Sequence, residues 1–149
     1  MKKTVLMALA GIAILLAACS GSKKPGANNG DKPLVGTYWK LVELMGKPVP
    51  DQSATGKPMY LTLDGAQTRV SASAGCNVLG GSYSLDENNR IKFGQMMSTM
   101  MACPDMEWEE NLKKVLEMAD SYAITGDKLQ LHRARMAPLA QFVAATKPK

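Results

Sequence analysis

From Leu34 onward the chain alternates apolar and polar positions in short runs separated by turn residues. Thr37-Tyr38-Trp39-Lys40-Leu41-Val42-Glu43-Leu44 reads as a strand, and Gly46-Lys47-Pro48 ends it. Met59, Leu61 and Leu63 share one face of a second strand that turns at Asp64-Gly65. Thr68 to Ala72 reads as a third strand, and Gly81 to Leu85 alternates again. Asp86-Glu87-Asn88-Asn89 is a turn before Arg90-Ile91-Lys92-Phe93. Ser121 to Thr125, Lys128 to His132 and Leu139 to Ala144 complete the strands. This spacing, with a turn signal after each run, predicts an antiparallel meander.

One stretch carries the helical period instead. Trp108, Leu112, Val115, Leu116 and Ala119 form a single apolar stripe. Asp105, after Pro104, is the expected N-cap, and Glu107, Glu109 and Glu110 lie where the helix dipole favours negative charge. Glu109–Lys113 and Glu110–Lys114 have the spacing of surface ion pairs. One amphipathic helix inserted late in a meander makes the expected fold class α+β, a small antiparallel, curled or partly barrel-like sheet with the helix over its open side.

The first 33 residues follow neither period. Met1-Lys2-Lys3, an apolar run from Val5 to Leu16 and small residues after it describe an export signal over residues 1–18. The run is shorter than the roughly 20 residues that span a bilayer. Leu16-Ala17-Ala18-Cys19 resembles the bacterial lipobox, the recognition element of lipoprotein signal peptidase. The resemblance implies diacylglycerol on the Cys19 sulfur and an N-acyl chain after cleavage. Two or more acyl chains hold a protein where one does not, because each buried methylene contributes about 0.8 kcal/mol. Ser20, where an Asp signals inner-membrane retention in enteric bacteria, points to the outer membrane. Residues 19–33 have no large apolar side chain and read as a flexible tether, so the folded domain is expected over 34–149.

The 149 residues are 46% hydrophobic and carry a net charge of +5, which falls to +3 once Lys2 and Lys3 leave with the signal. So small an excess argues against a nucleic-acid partner. The membrane, reached through the lipid anchor, and an envelope protein are the expected partners.

Three passages, taken together, resemble the META domain family, which includes the heat-inducible HslJ-type bacterial lipoproteins. The first is Trp39-Lys40-Leu41 with Gly46-Lys47-Pro48. The second runs from Arg69-Val70-Ser71-Ala72 through Ala74-Gly75-Cys76-Asn77 to Gly81-Ser82-Tyr83. The third is Ser98-Thr99-Met100-Met101-Ala102-Cys103-Pro104, followed by the helix and Gly126-Asp127-Lys128-Leu129. The tail departs from the family pattern where His132-Arg133-Ala134-Arg135-Met136-Ala137-Pro138 precedes the last strand. The resemblance implies a partly barrel-like sheet with one helix and a tie to envelope stress. It supplies no catalytic residues and no cofactor.

The residues that carry chemistry are few. With Cys19 lipidated, Cys76 and Cys103 remain in an oxidising compartment, where an even number favours a disulfide. The alternative is two buried thiols packed as small apolar groups. Met96, Met97, Met100 and Met101 crowd the same region. Methionine fills irregular cores, lines adaptable binding grooves and, with thiolates, suits Cu(I). All three roles stay open on the sequence, the groove being the binding hypothesis of first interest. His132 is the only histidine and stands beside Arg133 at a strand end, surroundings poor for a shielded catalytic pocket. Gly75, Gly80 and Gly81 suggest sharp turning, with Asn77 tolerating a left-handed backbone. The expectation is a lipoprotein that is not an enzyme, holds no metal and supports envelope stress tolerance by binding. One rival is an aid to secretin assembly that holds an apolar partner segment in a groove. Another, of a different class, is thiol- or Cu(I)-dependent activity at Cys76, Cys103 and the methionines.

Overall fold

The computed structural model describes residues 30–148. The expected signal peptide, Cys19, Ser20 and tether residues up to 29 lie outside the described residues, as does Lys149. The elements in chain order are β1 (Tyr38–Leu44), β2 (Lys47–Pro48), β3 (Met59–Asp64), β4 (Arg69–Ala74), β5 (Val78–Asp86), β6 (Arg90–Phe93), β7 (Met97–Ser98), α1 (Glu107–Met118), β8 (Ser121–Thr125), β9 (Lys128–His132) and β10 (Ala140–Ala145). Every strand pairing is antiparallel.

The sheet runs β10-β9-β8-β6-β5-β4-β3-β1, and β10 returns to pair with β1, so eight strands curl into a partial barrel. Two joints differ in strength. The β1–β10 ladder is long, from Tyr38 opposite Ala145 to Leu44 opposite Ala140. The β6–β8 seam holds a single paired position, Arg90 opposite Ser121. Backbone bonds from Ile91 to the Asp120 carbonyl and from Tyr122 to the Asn89 carbonyl support it. Asp120 stitches this seam further. Its carboxylate accepts the Ala134 amide and the Ser121 hydroxyl, each at 2.8 Å, and faces Arg90. The Ala134 amide, then the Ser121 hydroxyl, hold the carboxyl below its ordinary pKa, with Arg90 and Arg133 adding to the effect.

Alternation fills the barrel. Trp39, Leu41 and Leu44 of β1, Leu61 and Leu63 of β3, Leu79 of β5, Leu129 and Leu131 of β9 and Phe142 of β10 are buried. The indole N–H of Trp39 donates to the Leu34 carbonyl at 3.0 Å, so the largest core side chain buries no unpaired donor. Leu112, Val115 and Leu116 of α1 join the same core. The helix packs on β1, β4 and β6, which are not neighbours in the sheet, so it lies across one mouth of the barrel.

The two ends of the barrel follow from the register. One end gathers Tyr38, the β3–β4 turn, the β5–β6 turn and the β8–β9 turn. There the Asp31 carboxylate accepts the Gly126 amide and the Lys32 amide donates to the Gly126 carbonyl. Among the described residues, contact with the barrel is already made at Asp31, three residues before the Leu34 start expected from composition, because polar groups make it and no apolar residue announces it. The other end gathers Leu44 with Ala140, Met59 with Ala74, and Ser73 with Val78. Six residues of β3 separate the two by about 17 Å.

Several local expectations are corrected. Thr68 has φ +48° and belongs to the turn, and β4 extends to Ala74. Gly80 and Gly81 are not turn residues but lie inside β5. The helix starts at Glu107 with Met106 as N-cap and no side-chain cap, so Asp105 does not cap it. Its first-turn acids supply the favourable charge instead. Among the described residues, no helix is long and apolar enough to cross a membrane.

Candidate functional site

The end away from Asp31 holds the corner between β4 and β5 and the segment that runs from β7 into α1. Gly75 makes the corner with φ +94°, a conformation that strains any residue with a Cβ, and a Cβ there would also strike Ser53. The left-handed position expected at Asn77 is therefore at Gly75. Asn77 does different work. It is buried, and every polar atom of its amide is engaged. Its Nδ2 donates to the Met101 carbonyl at 3.0 Å and to Glu109 Oε1 at 3.1 Å. Its Oδ1 accepts the Thr99 hydroxyl and the Met101 amide, both at 2.8 Å. Its backbone N–H donates to Glu109 Oε2 at 2.9 Å.

Glu109 thus corrects the surface pairing expected with Lys113. It is buried in the first turn of α1, where both carboxylate oxygens are occupied. Oε1 also accepts the Ser98 hydroxyl at 3.1 Å. Lys113 is exposed and takes no part. A carboxylate at a helix N-terminus, bonded to two N–H groups of the preceding corner, locks the helix onto the barrel. A four-residue spacing to lysine cannot reveal this, because the partner lies 32 residues earlier.

Cys76 and Cys103 are bonded to each other, with Cα atoms 6.1 Å apart. The bridge ties the corner to the entrance of α1 beside the Asn77 network. A bridged pair has no thiolate to offer to Cu(I) or to a thiol reaction. Lys57 reaches over the corner to the Cys76 carbonyl at 3.1 Å, and Thr55 donates to the Gly75 carbonyl.

These fastenings hold the methionines. Met96 is buried in the core. Its Sδ packs so closely on β5 that a Cβ at Gly81 would stand 2.7 Å from it. It lines no surface, so the groove expected along all four methionines does not form as such. Met97, Met100 and Met101 stand outside, Met100 with 99% of its surface exposed. The carriers are pinned: Thr99 N–H donates to the Val78 carbonyl, and Val78 N–H to the Thr99 hydroxyl. The same end carries apolar side chains to which the sequence pattern gave no role. Met45 in the β1–β2 turn, Val78 and Met136 in the β9–β10 connection are exposed. Among the described residues Leu85 of β5 is also exposed, and Met97 stands opposite Gly80 in the register row that leads through Ser71 and Thr62 to Tyr38. His132 ends β9, its Nδ1 3.3 Å from the Met136 carbonyl, and is distant in sequence from both cysteines. Among the described residues, no three of His, Cys, Asp and Glu gather as a metal site.

A partial eight-stranded antiparallel barrel with one helix across its mouth, a bridged corner and a buried Asn–Glu link defines the class. The META domain model matches residues 32–146, and the chain belongs to that family. Among curated proteins, none matches the chain. Among solved structures, an NMR structure of a protein from Burkholderia xenovorans is similar, with a TM-score of 0.61 and 23% identity over 85% of this chain and 97% of that one. A second NMR structure has a TM-score of 0.58 and 20% identity over 74% of this chain and 91% of its own. A crystal structure of a DUF4847 family protein from Bacteroides vulgatus has a TM-score of 0.56 and 12% identity, covering 77% and 96%. At these identities the likeness establishes the fold.

Proposed function

We propose that the protein is a non-catalytic, lipid-anchored lipoprotein of the outer membrane that faces the periplasm and supports envelope stress tolerance by binding an envelope partner through its methionine end. One observation carries the reading. The chain enters the barrel at Asp31 and Lys32, while Met45, Met100, Met101 and Met136 are exposed on loops toward the opposite end, with Met97 exposed on β7 beside them. An anchor on Cys19 then leaves that end directed away from the membrane. Methionine suits a contact surface because its unbranched, polarizable side chain adapts to different apolar shapes. A pinned backbone beneath such side chains lowers the ordering cost of binding.

The test is site-specific photo-crosslinking in intact cells. A photoreactive residue at Met97 or Met100 is expected to give a discrete adduct, and one at Glu87 in the β5–β6 turn none. Equal labelling from all three positions, or none from either methionine, would count against the contact surface. Cys19→Ser is expected to abolish palmitate incorporation and release the protein from the membrane fraction. Membrane retention of that variant would refute the anchor while leaving the methionine end untouched.

A further inference from the structure

A different face of the barrel bears a long open cleft. It runs along the outer surface of β1, β3, β4 and β5 near the end where the chain enters, with a volume of about 710 Å³. A second cleft of about 660 Å³ continues from it past Gly36, Thr37, Tyr38 and Lys147 toward Lys32 and β10. Tyr38 is the aromatic side chain common to both, beside Gly36, Thr37 and Lys147. Its ring is stacked on Tyr60, with centroids 5.2 Å apart and planes 24° from parallel, so it stands fixed. Burial and the neighbouring Tyr60 push the Tyr38 phenol up. Tyr60 is itself held by a 3.2 Å hydrogen bond with Ser71 Oγ.

The floor is low because it is built of small residues. Thr62, Ser71 and Gly80 line it, and a Cβ placed on Gly80 would meet nothing within 4 Å. The rim is charged. Arg69 and Lys147 are exposed on it, and neither forms an ion pair among the described residues. Asp64 faces the same space, its Oδ1 occupied by the Ala66 and Gln67 amides.

The geometry points to an acidic glycan as the occupant, a saccharide strand whose rings lie against Tyr38 and whose carboxylates meet Arg69 and Lys147. The reasons are chemical. A rigid aromatic face takes the C–H face of a sugar ring. Hydroxyl-bearing threonine, serine and tyrosine exchange hydrogen bonds with hydroxyls. A guanidinium matches a carboxylate with two parallel bonds. An open, continuous trough suits a polymer better than a small enclosed ligand, whose site would bury most of it. Gly80 pairs with Met97 across β5 and β7, so the cleft borders one residue of the methionine end, and Arg69→Gln and Met100→Glu are the variants that tell the two sites apart.

The test is calorimetric titration of the lipidated, full-length protein in detergent. The probes are peptide-free glycan strands of peptidoglycan, which carry a carboxylate on every second sugar, and neutral chitohexaose. The acidic strands are expected to bind at least about tenfold more tightly, and added salt to weaken them. Gly80→Phe starts from a position where a Cβ meets nothing within 4 Å, raises the floor and suits a strand, and is expected to weaken binding about tenfold or more. Arg69→Gln is expected to weaken it about threefold to tenfold. Met100→Glu is expected to leave it unchanged. No binding of the acidic strands, equal binding of chitohexaose, or full binding by both cleft variants would overturn the proposal. So would a soluble short-chain phosphatidylglycerol that binds the cleft more tightly than the glycan.

Discussion

Replacing Glu109 by Ala removes the acceptor of three hydrogen bonds, from Asn77 N, Asn77 Nδ2 and Ser98 Oγ. Hydrogen bonds to charged groups contribute about 1.5–3 kcal/mol, and a buried donor left without a partner costs about 1–3 kcal/mol. The Ser98 hydroxyl sits near the surface and can turn to water. Asn77 is 2% exposed and cannot. Counting the two Asn77 bonds alone puts the loss at about 3–5 kcal/mol. A domain of this size is stable by only about 6–18 kcal/mol, so the variant should fold but be severely weakened. Glu109→Gln keeps one acceptor oxygen and turns an amide toward the second donor, for a loss of about 1–2 kcal/mol. Urea titration with the disulfide intact, followed by tryptophan fluorescence, reads both through the midpoint at constant slope. A Glu109→Ala loss within about 0.5 kcal/mol of zero is the signature of a surface residue and would refute the buried link. Strict additivity of Glu109→Ala with Asn77→Ala would refute it too, since residues that share bonds couple.

Other expectations follow from the same packing. Replacing both Cys76 and Cys103 by Ser opens a loop of 27 residues and should cost about 3–4 kcal/mol, and the native intact mass should be lower than the reduced mass by two hydrogens. Asp120 has a lowered folded-state pKa, so its stabilisation is present above the ordinary carboxylate value and lost as pH falls through the folded one. The stability difference between native protein and Asp120→Asn should therefore be constant near neutrality and shrink below about pH 4; a difference that grows there would contradict the assignment. Gly81→Ala forces a Cβ against Met96 Sδ at 2.7 Å and the Gln95 carbonyl at 2.9 Å, and should cost about 1–3 kcal/mol. Gly80→Ala, into open space one residue away, should be neutral or slightly stabilising in the same urea titration.

What the sequence revealed and what it concealed divide along range of interaction. Strands such as β6, β8 and β9 were legible because a half-buried strand must alternate, and α1 because its stripe has no other reading. Parity alone pointed to Cys76 and Cys103. The closure of the sheet was not legible, since it depends on β1 meeting β10 at the far end of the chain, and strand patterns do not name their neighbours. Glu109 looked like a surface residue because its spacing to Lys113 is a local signal, while Asn77 reaches it only through the fold. Asn77 looked like a turn residue because Asn often is one, but the neighbouring Gly75 already satisfies the turn. Met96 and Met97 are equivalent in composition and separate only once the chain, entering β7, sets Met96 inward and Met97 outward. Met45 and Met136 joined the candidate surface for the same reason: loops distant in sequence meet at one end of a barrel.

The central claim is that the Gly-Cys-Asn corner and the Thr-Met-Met-Ala-Cys-Pro segment spend their chemistry on holding a contact loop rigid. Amide hydrogen exchange at Met101 tests it most directly. Although the residue is 45% exposed, its N–H donates to buried Asn77 Oδ1 at 2.8 Å. Strong protection at Met101, collapsing in Asn77→Ala while the β1–β10 amides stay protected, is the predicted result. Exchange at the rate of an unstructured peptide in the native protein would contradict the account.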